Sequence, residues 1–271
     1  MIARRWRVGL VNIGVIVALL VAVSYLPPDT SLRDVQRSGT LKVCVPPSFP
    51  PLVTGDAERP GFDVELVGQI AQRLDLKLSL NVQPLMGQDF NPRNWILTRA
   101  QCDLIAGGLA DTVQNRGFLQ MLPTDVETGW VAISRDGVMP QAGASVAVFA
   151  QSSGLGRVAL SSWLRAKGLR AVRAASATAL LEAVASGSAE IGISERFALA
   201  RLDPAAVGLR RDWLTDESFA HNKMALGMWK GEQTLWRAVA GAVDALRDGG
   251  ELQQLRVQYG LDGSLESTLR P

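Results

Sequence analysis

Histidine is almost missing from this sequence. His221 is the only one, and no H-E-x-x-H or similar spacing surrounds it, so the commonest metal ligand and general base is close to excluded. Cysteine is nearly as scarce: Cys44 and Cys102 stand far apart, with no C-x-x-C or Cys/His cluster to hold zinc. No G-x-S-x-G elbow presents a serine nucleophile. "GLGRVAL" (154–160) is a broken glycine pattern with no acidic residue about twenty positions on, so it makes a poor dinucleotide site. The carboxylates Asp63 and Glu65 form too ordinary a pair to argue acid–base chemistry. No metal, no cofactor and no catalytic residue is expected.

Positive charge is also scarce once its position is considered. The formal net charge is +2, but Arg4, Arg5 and Arg7 sit in the first seven residues; without them 25 basic residues face 26 acidic ones. The remainder has no basic stripe interleaved with aromatics, so nucleic acid is not an expected partner.

What the N-terminus does have is one long apolar run, "VGLVNIGVIVALLVAVSYL" (8–26), behind the cationic "MIARRWR". Its length falls between a signal-peptide core and a membrane-spanning helix. Positive charge ahead of it places the rest of the chain across the membrane, so a periplasmic protein is expected. Residues 1–26 read as a signal peptide or a transmembrane helix that tethers the protein to the inner membrane, and both readings stand. In that oxidising compartment an even cysteine count favours a Cys44–Cys102 bridge. Register opposes it: if both residues lie on level neighbouring strands, their offset of about three residues is roughly 10 Å, beyond the reach of a disulfide.

The apolar periodicity alternates between strand and helix. "TLKVCV" (40–45) is a β-branched strand ended by "PPSFPP". "GFDVELVGQIAQRLDL" puts Val64, Val67, Ile70, Ala71 and Leu74 on one helical face. "LKLSLNV" alternates like a strand. "NPRNWILTRAQ" (91–101) predicts a helix capped by Asn91 with Pro92 at its first position. "CDLIA" (102–106) is a short buried strand. A second unit repeats the theme in "WVAISR", "SVAVFA", "GRVALSSWLRAKG", "LRAVRAA", "SATALLEAVASG" and "AEIGIS", followed by one more strand and two helices. The succession implies α/β architecture in two units, each a mainly parallel sheet flanked by helices.

Ligands of open α/β sheets bind beyond the carboxyl ends of strands. The strand ends here are "PPSFPP", Gly107 to Ala110, Gln151 to Gly154, and Ser194 with Glu195, each polar or glycine-rich where its strand is apolar. Arg116 follows the second of these. A guanidinium grips a carboxylate through two parallel hydrogen bonds, although a solvated arginine at a helix start looks the same in sequence. Glu195 suits a ligand ammonium or its neighbour Arg196. Ser152 and Ser153 suit a carboxylate at a helix N-terminus or cap that helix. Phe49, between prolines, is a stacking platform or loop packing.

The order of these segments resembles the family 3 periplasmic solute-binding proteins, the amino-acid-binding partners of ABC importers. Their opening "GTLRVG", aromatic-Pro-Pro loop and "GFDVDLA" are similar to "GTLKVCV", "FPPL" and "GFDVELV" here. "CDLIAGG", "TVQNR", "VAVFAQSS", "ALLEAVASGSAEIGISE" and "RDGGELQQLRVQYG" resemble later family motifs, from about Gly39 to Leu261. The resemblance implies a Venus-flytrap fold: linker 27–38, lobe 1 from 39–126 plus 225–262, lobe 2 from 127–224, and a loose tail 263–271. Crossings between lobes fall near Thr124 to Gly129 and near Asn222 to Leu226.

Carried over by position, the resemblance makes Phe49 the stacking aromatic, Gly107 and Ala110 the lip, and Arg116 the α-carboxylate partner. Ser152 and Ser153 become second-lobe donors, and Glu195 the ammonium partner. Three departures are visible: Ala110 lacks the usual hydroxyl, the Thr-to-Arg spacing is one residue longer, and Glu195 replaces an aspartate. The ligand implied is an amino acid or organic acid, passed to ABC transporter membrane subunits. "VCVPP" with "QCDLIAGG" also resembles binding-protein-like components of periplasmic quinoprotein alcohol dehydrogenases, an alternative in which the cleft serves a protein partner or another small molecule. A small dehydratase is a third reading, because a few relatives of this architecture catalyse.

Overall fold

The computed structural model describes residues 12–19, 21, 28–86, 95–150, 155–214, 216, 221–261 and 270. Its strands divide into two five-stranded sheets, ordered β2-β1-β3-β10-β4 and β7-β6-β8-β5-β9. In the first, β1 (Thr40–Val45), β2 (Lys77–Val82) and β3 (Leu104–Ile105) run parallel. β10 (Asn222–Trp229) lies antiparallel between β3 and the edge strand β4 (Leu119–Thr128). In the second, β6 (Ser145–Phe149) is parallel to β7 (Arg170–Arg173) and β8 (Ile191–Glu195). β5 (Trp130–Ser134) runs antiparallel to β8 and to the edge strand β9 (Arg210–Trp213).

The two sheets share a strap. β4 and β10 stay paired from Leu119 opposite Trp229 to Thr128 opposite Asn222. One residue later, at Gly129, the chain enters the second sheet through Trp130. A Cβ on Gly129 would stand 3.1 Å from the Trp213 ring and 3.3 Å from His221. The crossing therefore passes through a gap sized for glycine. The sole histidine packs there, 4.0 Å centroid to centroid from Trp213.

Each sheet carries its own core. Leu41, Val43, Phe62, Leu66, Ile70, Leu226 and Val243 form the first. In the second unit, Ile191 and Ile193 pack on one cluster while Val131, Ile133 and Leu180 pack on another. A fully buried side chain of this size is worth about 1.5–3 kcal/mol relative to exposure. The helix Phe62–Arg73 buries the face its period predicts, including Val64, Val67, Ile70 and Ala71. Among the later helices, Ala177–Ala185 starts where Ser176 accepts the Ala179 N–H at 3.0 Å.

Several expectations change. Residues 31–38, assigned to a linker, form a helix (Ser31–Ser38). It docks through Ser31 and through Asp29, whose carboxylate accepts the Thr234 N–H of the helix Gln233–Asp248 at 2.6 Å. The helix expected over 91–101 is absent from Trp95 to Gln101, which turn instead; Ile96 takes a left-handed φ of 55°, and the Gln101 amide oxygen accepts the Thr98 N–H. Asn91 and Pro92 lie outside the described residues. In the tail, Arg270 is not loose: its N–H donates to Gly137 O at 2.9 Å and its carbonyl accepts from Met139. Residues 12–19 are helical and exposed. Among the described residues no helix is long and apolar enough to cross a membrane.

The register argument against the disulfide also fails. Cys44 and Cys102 are bonded, with Cα atoms 5.4 Å apart. The strand expected from residue 102 begins only at Leu104. Cys102 instead belongs to the preceding turn, its N–H bonded to Thr98 O, which leaves it within bonding distance of Cys44.

Candidate functional site

The carboxyl ends of β1 and β3 emerge side by side, Cys44 opposite Ile105, with the Ala106 N–H bonded to Cys44 O at 2.9 Å. The "PPSFPP" loop and the Gly107–Gly108 pair therefore lie together. Both glycines have left-handed φ values, 94° and 99°. A Cβ on Gly107 would stand 2.4 Å from Pro46, and one on Gly108 would stand 2.6 Å from the Phe49 ring. Phe49 is thus buried against Gly108 backbone and tied to Val53 by paired backbone hydrogen bonds.

Beneath this lip lies a residue the sequence reading did not assign. Asp63 is buried, and its Oδ2 accepts the Gly107 N–H at 2.7 Å. Burial pushes its carboxyl up to about 6, against the N–H groups of Gly107 and Gly108 that favour the charged form. Past the lip, Ala110 is fully buried and packs in the same cluster as Trp130, Leu155 and Ile193 of the second unit. Its methyl thus packs one unit onto the other.

Arg116 ends a four-residue helix, Val113–Arg116, whose N-cap Thr112 accepts the Asn115 N–H. The guanidinium is exposed and already forked onto a carboxylate: Nε donates to Asp111 Oδ1 and Nη2 to Asp111 Oδ2, both at 2.6 Å. Asp111 is the second residue missed. It lies five positions upstream, outside the helical spacings that signal a pair, and only the turn at Thr112 brings it round.

Glu195 lies at the junction between units, fully buried. Oε2 accepts the Phe197 and Ala198 N–H groups, each at 2.9 Å, and Oε1 accepts a short hydrogen bond from Thr128 Oγ1 on β4. Burial pushes its carboxyl up to about 7, against these donors and Arg196. Its neighbour Arg196 reaches back to Glu127 O at 2.9 Å. Both oxygens of Glu195 are therefore engaged inside the protein, tying β8 to β4. Beside it, Ser194 Oγ donates to Phe149 O at 2.6 Å. Ser152 and Ser153 lie outside the described residues.

A cavity of about 390 Å³ spans the two units, lined by Pro50, Pro51, Asp56, Arg59, Arg201 and Tyr259 among others. Its lining contains charges of both signs and the Pro50–Pro51 end of the "PPSFPP" loop, but none of Phe49, Gly107, Ala110, Arg116 and Glu195. Among the described residues no group of three or more His, Cys, Asp or Glu could hold a metal ion.

Two α/β sheets joined by a paired strap, with strand ends converging at the junction, define a two-lobed binding-protein architecture. The chain belongs to the bacterial extracellular solute-binding proteins, family 3, whose model matches residues 41–262. Among solved structures it is similar to a mutant of ArgBP from T. maritima, at 19% identity and TM-score 0.60, covering 85% of this chain and 99% of that one. It is also similar to an ABC uptake transporter substrate binding protein from Streptococcus pneumoniae with bound histidine, at 14% identity and TM-score 0.63, covering 85% and 96%. An ancestral amino acid-binding protein, a precursor of cyclohexadienyl dehydratase, matches at 17% identity and TM-score 0.62, covering 84% and 99%. At these identities the likeness establishes the fold. No curated protein matches the sequence.

Proposed function

We propose that this chain captures a small amino acid or carboxylate-bearing ligand between its two units, outside the cytoplasmic membrane, and delivers it to an ABC-type importer. The observation that carries the reading is Arg116, an exposed guanidinium raised on a capped turn just beyond the carboxyl end of β3. In this reading Arg116 meets the carboxylate. Phe49 and Gly107 shape the wall, and Ser152 and Ser153 add donors from the second lobe. Glu195, with both oxygens engaged, ties the units together rather than receiving the ammonium. The bound arginine or histidine of related structures supports an amino-acid ligand. Binding rather than catalysis is proposed.

Calorimetry of the purified protein against L-amino acids and small carboxylic acids tests this. At least one compound should bind, and Arg116→Ala should weaken it by about fivefold or more, since two N–H donors worth about 0.5–1.5 kcal/mol each are lost. Binding that ignores Arg116→Ala would remove the site. An empty panel would favour the second reading, an accessory component of a periplasmic quinoprotein dehydrogenase. That alternative draws support from the Asp111 fork, which leaves Arg116 less charge to offer a free ligand.

A further inference from the structure

The two partners of the fork are unequally placed. Asp111 has a side chain 6% exposed, Arg116 one 65% exposed. Asp111 is fixed from behind, its N–H donating to Lys223 O at 2.8 Å, next to the Ala110–Met224 bridge. Among the described hydrogen bonds its two oxygens have no partner except Arg116. Drawing Arg116 away would leave a nearly buried carboxylate without a counter-charge, at a cost an open, hydrated ligand contact does not return. The fork therefore persists when a ligand arrives.

A guanidinium has two edges that match a carboxylate: the side edge, Nε with Nη2, and the end edge, Nη1 with Nη2. Asp111 occupies the side edge. It also cancels the charge, so an incoming anion meets a neutral pair rather than a cation. What remains is the end edge, on a side chain that is mostly exposed.

We propose that Asp111 sets the specificity of this lip. It holds Arg116 by the side edge and neutralises it, so that a ligand carboxylate is accepted only end-on and weakly, while an uncharged acceptor such as a primary amide competes on nearly equal terms. The inference rests on the reading of Arg116 as the ligand's partner.

The probes are L-histidine and L-histidinamide, which differ in that the carboxylate is replaced by an amide. Both are titrated into wild type, Asp111→Asn, Arg116→Ala and the double variant. Wild type should bind the two within about threefold of each other. Asp111→Asn, which keeps the shape but returns the charge to Arg116, should gain about tenfold or more for L-histidine and little for the amide. That gain should vanish in the double variant. A readout free of ligand accompanies this: the Arg116 Nε–H resonance should be protected from exchange in wild type and lose protection in Asp111→Asn.

A preference of wild type for L-histidine of about tenfold or more, a gain that survives loss of Arg116, or an unprotected Nε–H would each overturn the proposal. So would absence of binding by both wild type and Asp111→Asn, because freeing Arg116 would then create no carboxylate site. The capture reading fails on a different result: a ligand from the wider panel bound equally by wild type and Arg116→Ala.

Discussion

At the lip, a side chain is excluded twice over. Gly108 has a φ of 99°, which a residue with a Cβ rarely adopts, and a Cβ would press within 2.6 Å of the Phe49 ring. The ring has little room to retreat, because it is buried and its backbone is held by two hydrogen bonds to Val53. Gly108→Ala should therefore cost about 1–3 kcal/mol of stability and displace Phe49 from its buried position. Chemical denaturation monitored by circular dichroism measures the first effect. Unchanged stability would mean that loop and ring give way together, and that the packing seen here is not a constraint.

Individual elements show how the sequence encodes the fold and where it conceals it. The strand β1 and the helix Gln233–Asp248 stand where their periods place them, and Ala177–Ala185 where Ser176 caps it. β4 was not legible: "LQMLPTDVET" holds Pro123 and two acids. As the edge strand of its sheet, it can carry a proline, whose missing N–H need not join a ladder. β9, also an edge, hides because three of its four residues are charged. At the site, sequence singled out Arg116 and Glu195 as charges beyond strand ends but not their partners. Asp111 is brought round by a turn, and Thr128 lies 67 residues from Glu195. The disulfide was obscured by a strand two residues shorter at its start than the apolar run suggested. Because it closes a separation of 58 residues, reducing it should cost about 2–4 kcal/mol on a chain-entropy argument. A lower thermal midpoint in reductant, with Cys44→Ala/Cys102→Ala matching it, is the expected result; an unmoved midpoint would show the bridge adds nothing to native stability.

Across the whole molecule, three carboxyl groups sit at joints and share one electrostatic consequence. Asp63 supports the lip, Glu195 ties β8 to β4, and Glu232 lies beside Arg99 at the start of the helix Gln233–Asp248. Burial raises Asp63 to about 6 and Glu195 to about 7. It also raises Glu232 to about 7, Arg99 opposing the shift and Asp103 and Asp29 adding to it. Each group keeps its proton in the folded protein at a pH where the unfolded chain has lost it. The native state then binds more protons, so stability falls as pH rises from about 4 to about 7 and levels off above. The expected thermal midpoint is lower at pH 8 than at pH 5 by about 4 °C or more, at roughly 2–4 °C per kcal/mol for a chain of this size. Glu195→Gln isolates the junction: an amide can still accept from Phe197 and Ala198 and donate to Thr128, but it cannot titrate. The pH dependence should flatten in that variant. If wild type and Glu195→Gln trace parallel curves, Glu195 is ionised throughout the range, and its hydrogen bonds outweigh its burial.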